Sequence, residues 1–77
     1  MTSSEKLVRD YMSKYLTKDQ ILDCSAQAIT MNIMSGFVPF DENYCGDVGD
    51  LDDEAGDYYD ELNVYVRQVI KETEKES

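Results

Sequence analysis

Between Asp41 and Glu61 the chain places ten carboxylates and no Lys or Arg. Groups of that type could coordinate a divalent cation, exchange protons as an acid–base pair, or receive a cationic surface. A calcium loop of the EF-hand kind needs oxygen ligands at positions 1, 3, 5 and 12, glycine at 6 and an apolar residue at 8. Starting at Asp41, the frame supplies Asn43, Gly46, Val48 and Asp52 in register, but puts the poor ligand Cys45 at position 5. Starting at Asp50, it supplies Asp52, Glu54 and Glu61, but Ala55 stands where glycine is needed and Asp57 where an apolar residue is needed. Neither frame passes, so adventitious weak Ca²⁺ or Mg²⁺ binding is the most this stretch offers. No dedicated metal site and no cofactor is expected.

Catalytic chemistry fares no better. Acid–base work needs one carboxyl with a raised pKa in a closed cleft, whereas this segment reads as open and solvated. The two cysteines, Cys24 and Cys45, stand 21 residues apart in a chain without histidine, so neither thiol has a base to activate it and no zinc set is available. Cys24 reads as a core residue and Cys45 as a loop thiol, both reduced, as in a cytoplasm. The sequence indicates a protein that is not an enzyme.

What remains is recognition by charge and shape. The acidic residues Asp41, Glu42, Asp47, Asp50, Asp52, Asp53, Glu54, Asp57, Asp60 and Glu61 are interleaved with Tyr44, Tyr58 and Tyr59. Solvating tails seldom carry aromatics, and tyrosine is enriched in interface cores. These thirteen residues are the candidate partner-binding set. The surrounding charge agrees: residues 19–66 hold twelve anions and no cation, within a net charge of −10. Such a field repels nucleic acid and anionic lipid and attracts basic surfaces. Direct DNA or RNA binding and membrane binding are therefore excluded as expectations. The bland alternative is that the run merely keeps a loop in water. It predicts that neutralising Asp50, Asp52, Asp53 and Glu54 leaves binding intact, and relief of repulsion should raise stability slightly under either reading.

The elements that would position these groups follow from periodicity. At 77 residues, 42% hydrophobic and with mean hydropathy −0.54, the chain supports one modest core, so residues 1–77 read as a single domain. Thr2 and Glu5 form a capping-box pattern, followed by Leu7, Val8, Tyr11, Met12, Tyr15 and Leu16 on one face. A helix over about 3–16 results. Thr17 and Gln20 repeat the cap and open a second helix over about 18–35, ended by Gly36. Its apolar residues fall on two sides, Leu22, Ala26, Ile29 and Ile33 against Ile21, Cys24, Ala28 and Met31, which marks it as the central helix. The alternation of "ITMNI" leaves a minor strand around 29–34 as an alternative. Pro39 breaks the pattern, and the aromatics beside it should anchor a long acidic loop over 37–56. A third helix spans about 57–73, with Asp57, Asp60 and Glu61 in its first turn and a tail that frays from about residue 72. The fold class is all-α, a small bundle of three helices. The polar N-terminus "MTSSEKLVRDYM" is not a signal peptide, and no apolar run approaches a membrane span.

In acidic composition and spacing over residues 41–61, the chain resembles the small acidic inhibitors by which phages and mobile elements mimic DNA, of the anti-restriction and anti-CRISPR type. The likeness includes no alignable motif, so no residue role is carried over from those families. It implies a compact cytoplasmic inhibitor or decoy, in the host cell if phage-encoded. Such a decoy would occupy the nucleic-acid channel of a basic host enzyme or regulator. The alternative is a helical adaptor or oligomerisation module, in which the tyrosine-rich face of the first or third helix pairs with another helix and the acidic loop is only solvated. A homodimer is compatible with either reading.

Overall fold

A computed structural model describes residues 2–76. The chain is all-helical, with α1 at Ser3–Tyr15, α2 at Lys18–Asp23, α3 at Ala26–Ser35 and α4 at Asp53–Glu76. One 3-10 turn, Val48–Asp50, interrupts the long connection before α4. No strand occurs among the described residues, so the 29–34 segment is helical. There are four α-helices among the described residues and not three. The core joins Val8, Met12, Ile29, Leu62 and Val66 with Leu16, Ile21, Ile33 and Phe40, all buried.

The expected 18–35 helix is two helices because Ser25 caps the second half. Its hydroxyl accepts from the Ala28 N–H at 3.1 Å, while Cys24 holds an extended backbone (φ −87°, ψ 150°). That break resolves the two-sided apolar pattern. Once free to turn independently, α2 buries Ile21 and leaves Leu22 exposed, whereas α3 is buried over Ala28 to Ile33 without interruption. α3 is thus the most buried helix, but the element that packs against α1, α2 and α3 alike is α4. The Thr17 capping box forms with both of its bonds, and each helps satisfy an otherwise orphaned N–H. At Thr2 only half of the box forms, because the Glu5 carboxylate turns to Arg9.

α4 is longer than expected at both ends. It begins at Asp53, since Asp52 Oδ1 accepts from the Ala55 N–H at 2.8 Å and so supplies a cap. It continues to Glu76, past the expected end near residue 73. The Glu72 carboxylate receives a two-pronged bond from Arg9 of α1 at 2.9 and 3.0 Å, and Thr73 is buried. The last turns also consist of good helix formers.

Gly36, at φ +69°, ends α3 with a Schellman pattern: Phe37 N–H reaches Asn32 O and Gly36 N–H reaches Ile33 O, each at 3.1 Å. Beyond it the aromatics pin the connection, as expected. Phe40 enters the core, Phe37 meets Tyr44 edge-on at 4.7 Å, and the Tyr11 hydroxyl donates to Phe37 O.

Candidate functional site

The connection is ordered from beneath by one buried side chain. Asn32, wholly inaccessible, accepts from the Asp41 N–H at 3.0 Å. Its Nδ2 lies within bonding distance of the carbonyls of Ala28, Asp41 and Tyr44. An amide carries two hydrogens, so one is shared between acceptors. Asn32 was not among the expected functional residues, and its position inside an apolar helix is the signal that could have singled it out. A second buried polar node joins α3 to α4: Asn63 donates to Thr30 Oγ1 at 3.1 Å, and Thr30 donates to Ala26 O at 2.7 Å.

These anchors divide the candidate acids into two groups. In the connection, Asp41 bonds the Asn43 N–H and Asp47 the Gly49 N–H, each at 2.9 Å, closing local turns. Asp52 caps α4. Those three carboxylates have structural work, as acids in turns and caps usually do. The remaining seven, Glu42, Asp50, Asp53, Glu54, Asp57, Asp60 and Glu61, are exposed. They make no hydrogen bond or ion pair among the described residues. No group of three or more acidic or cysteine side chains is arranged to hold a metal ion there.

Five of the seven lie on α4. At about 100° per residue, Asp53, Glu54, Asp57, Asp60 and Glu61 fall within an arc of about 120°, forming one acidic stripe. The earlier start of the helix corrects their expected placement. Asp53 and Glu54 occupy the first turn, while Asp60 and Glu61 lie beyond the reach of its dipole. Asp52, Asp53 and Glu54 also lie where the α4 N-terminus favours negative charge, an attraction that opposes the gain expected from relieving their mutual repulsion.

The three tyrosines differ. Tyr58 is exposed beside the stripe. Tyr59 is half-buried with its hydroxyl 3.5 Å from Asn63 Nδ2, and burial raises its pKa against the opposing pull of Arg67. Tyr44 is half-buried in loop packing, its hydroxyl accepting from Ser35 at 3.3 Å. Of the cysteines, Cys45 is exposed and Cys24 is half-buried, with its thiol pushed up by burial and then by Glu42 and Asp23.

Away from the α4 stripe, Leu7 and Val38 are exposed at the rim of an open depression of about 310 Å³, lined also by Asp10, Tyr11, Lys14 and Tyr15. No helix is long and apolar enough to cross a membrane among the described residues. Compared with known proteins, the chain matches no family model, no curated protein and no solved structure.

Proposed function

We propose that this protein is a binding protein and not an enzyme: an acidic inhibitor or decoy that docks on the basic nucleic-acid channel of a host enzyme or regulator, in the cytoplasm. The observation that carries this reading is the α4 stripe. Five exposed carboxylates share one side of a rigid helix, and no cation of the chain bonds them among the described residues. Carboxylates three or four residues apart on a helix stand about 5–6 Å from one another at Cβ, a spacing that lets a row of them replace backbone phosphates. Arg and Lys of the partner would donate charge-assisted hydrogen bonds to them. Tyr58 supplies an adjoining apolar contact.

The test is affinity capture at low salt followed by competition with a labelled duplex. A captured nucleic-acid-binding protein that releases the duplex as this chain is added supports the reading. Direct retention of the duplex by this chain at physiological salt sinks it.

The adaptor reading draws on one specific feature, the exposed Leu7 and Val38 beside the depression between α1 and the 36–38 turn. It predicts partner affinity that hardly changes with salt, whereas the decoy loses affinity steeply.

A further inference from the structure

The acidic stripe is half of a longer pattern along α4. The side opposite the core carries, in order, Asp53, Asp57, Asp60, Val64, Arg67, Gln68, Lys71 and Lys75, all exposed. At 3.6 residues per turn these fall within an arc of about 100°, and Leu62, Val66 and Thr73 point the other way. Val64 is 53% exposed and is the one apolar residue on that arc. Charge is distributed about it in opposition. Seven residues before Val64 is Asp57 and seven after is Lys71; eleven before is Asp53 and eleven after is Lys75. The pair Asp60 and Glu61 is answered by Arg67 and Gln68.

We propose that this face of α4 pairs antiparallel with α4 of a second copy of the chain, about a two-fold axis at Val64. Reversing the helix direction superimposes each half of the pattern on the half of opposite charge. The Val64 side chains then meet at the centre, Asp57 faces Lys71 of the other copy, and Asp53 faces Lys75. Gln68 offers amide hydrogens to the carboxylates of Asp60 and Glu61. A parallel pairing would oppose acid to acid and base to base, so the sequence itself selects the direction. The helix dipole accounts for acids in a first turn and bases in a last turn, but its influence ends there. Asp60, Glu61, Arg67 and Lys71 lie in the interior of α4, where it does not explain them. Contacts of this exposed, charged kind are individually weak, and the net charge of −10 opposes approach of two copies. The dissociation constant is expected at about 0.1–1 mM at physiological salt.

This pairing engages α4 acids that the proposed function gives to a basic partner, so a second copy and that partner compete. It is nevertheless tested on the free protein. Sedimentation velocity at about 0.15 M salt is run on wild type, Asp57→Lys, Lys71→Asp, and an equimolar mixture of the two variants, with helicity checked by circular dichroism. Each single variant opposes like charges at two symmetric places and should self-associate about tenfold more weakly than wild type. In the mixture the opposite signs face each other again, and association should recover. A wild type that stays monomeric up to about 1 mM overturns the proposal, as does a mixture that associates no better than its components. Self-association unchanged in both single variants would also overturn it and would point to the Leu7 and Val38 surface.

Discussion

Asn32 and Asp41 exchange hydrogen bonds in both directions, the Asp41 N–H to Asn32 Oδ1 at 3.0 Å and Asn32 Nδ2 to the Asp41 carbonyl at 3.1 Å. The exchange fastens the start of the acidic connection to the most buried helix. Asn32→Leu keeps the volume but removes the acceptor of the Asp41 N–H and the donor to the Tyr44 carbonyl, whereas the Asp41 carbonyl keeps the Tyr44 N–H. An unsatisfied buried group costs about 1–3 kcal/mol, so a loss of about 2–4 kcal/mol is expected. Urea denaturation measures it, and a loss below about 0.5 kcal/mol would show that water replaces the amide without penalty.

Arg9 bridges Glu5 on its own helix and Glu72 on α4, and its hydrogen bond holds the Glu72 carboxyl below the ordinary glutamate range. A carboxyl whose pKa is lowered by folding stabilises the fold above its unfolded value. That contribution disappears as pH falls through the folded value. The difference in Tm between wild type and Glu72→Gln should therefore be largest near neutrality. It should shrink from about pH 5 downward and close once the pH lies below the lowered folded value. Thermal melts across that range test this, and a difference that grows on acidification contradicts the assignment.

Gly36 and Gly46 both hold positive φ, +69° and +72°, but their surroundings differ. A Cβ at Gly36 meets nothing within 4 Å, whereas at Gly46 it would lie 2.6 Å from Met31 Cε and 3.1 Å from the Tyr44 hydroxyl. Gly36→Ala should lose about 1 kcal/mol for the left-handed backbone alone. Gly46→Ala should lose about 2–3 kcal/mol, because Met31 must also move. Equal losses in paired denaturation curves would mean that the Met31 tip yields freely.

The triple variant Asp57→Asn, Asp60→Asn, Glu61→Gln removes charge beyond the first turn of α4, where neither cap nor dipole depends on it. Stability should change by less than about 0.5 kcal/mol. Affinity for a captured basic partner should fall about tenfold or more, with a shallower dependence on salt. Unaltered affinity in a salt titration would return the stripe to the role of a solvated face.

The helices were legible where side chains speak to their own neighbours: the caps at Thr2 and Thr17, the stop at Gly36 and the apolar face of α1. The break at Ser25 was not, because a serine inside an apolar repeat is compatible with both a continuing helix and a cap. The structure takes the cap: the Ser25 hydroxyl accepts from the Ala28 N–H, and Cys24 is extended. The start of α4 was displaced for a related reason. Asp52 reads as one more loop acid until its bond to the Ala55 N–H is seen. Among the candidate site residues, composition located the acids but could not separate those closing turns, Asp41 and Asp47, from those that make no bond among the described residues. That division depends on backbone conformation, which periodicity does not encode.

The position of α4 as the common partner of α1, α2 and α3 has a consequence for the order of events during synthesis. Every helix that α4 packs against leaves the ribosome before it does, and the Arg9 to Glu72 bond closes across 63 residues. At about 5–20 residues per second, α1 waits for its partner for several seconds, whereas a helix forms in about a microsecond. During that interval Val8, Met12 and Ile29 have no surface to cover them. The nascent chain is therefore most exposed to proteases and chaperones until α4 has emerged, and any substitution that slows α4 docking lengthens that window.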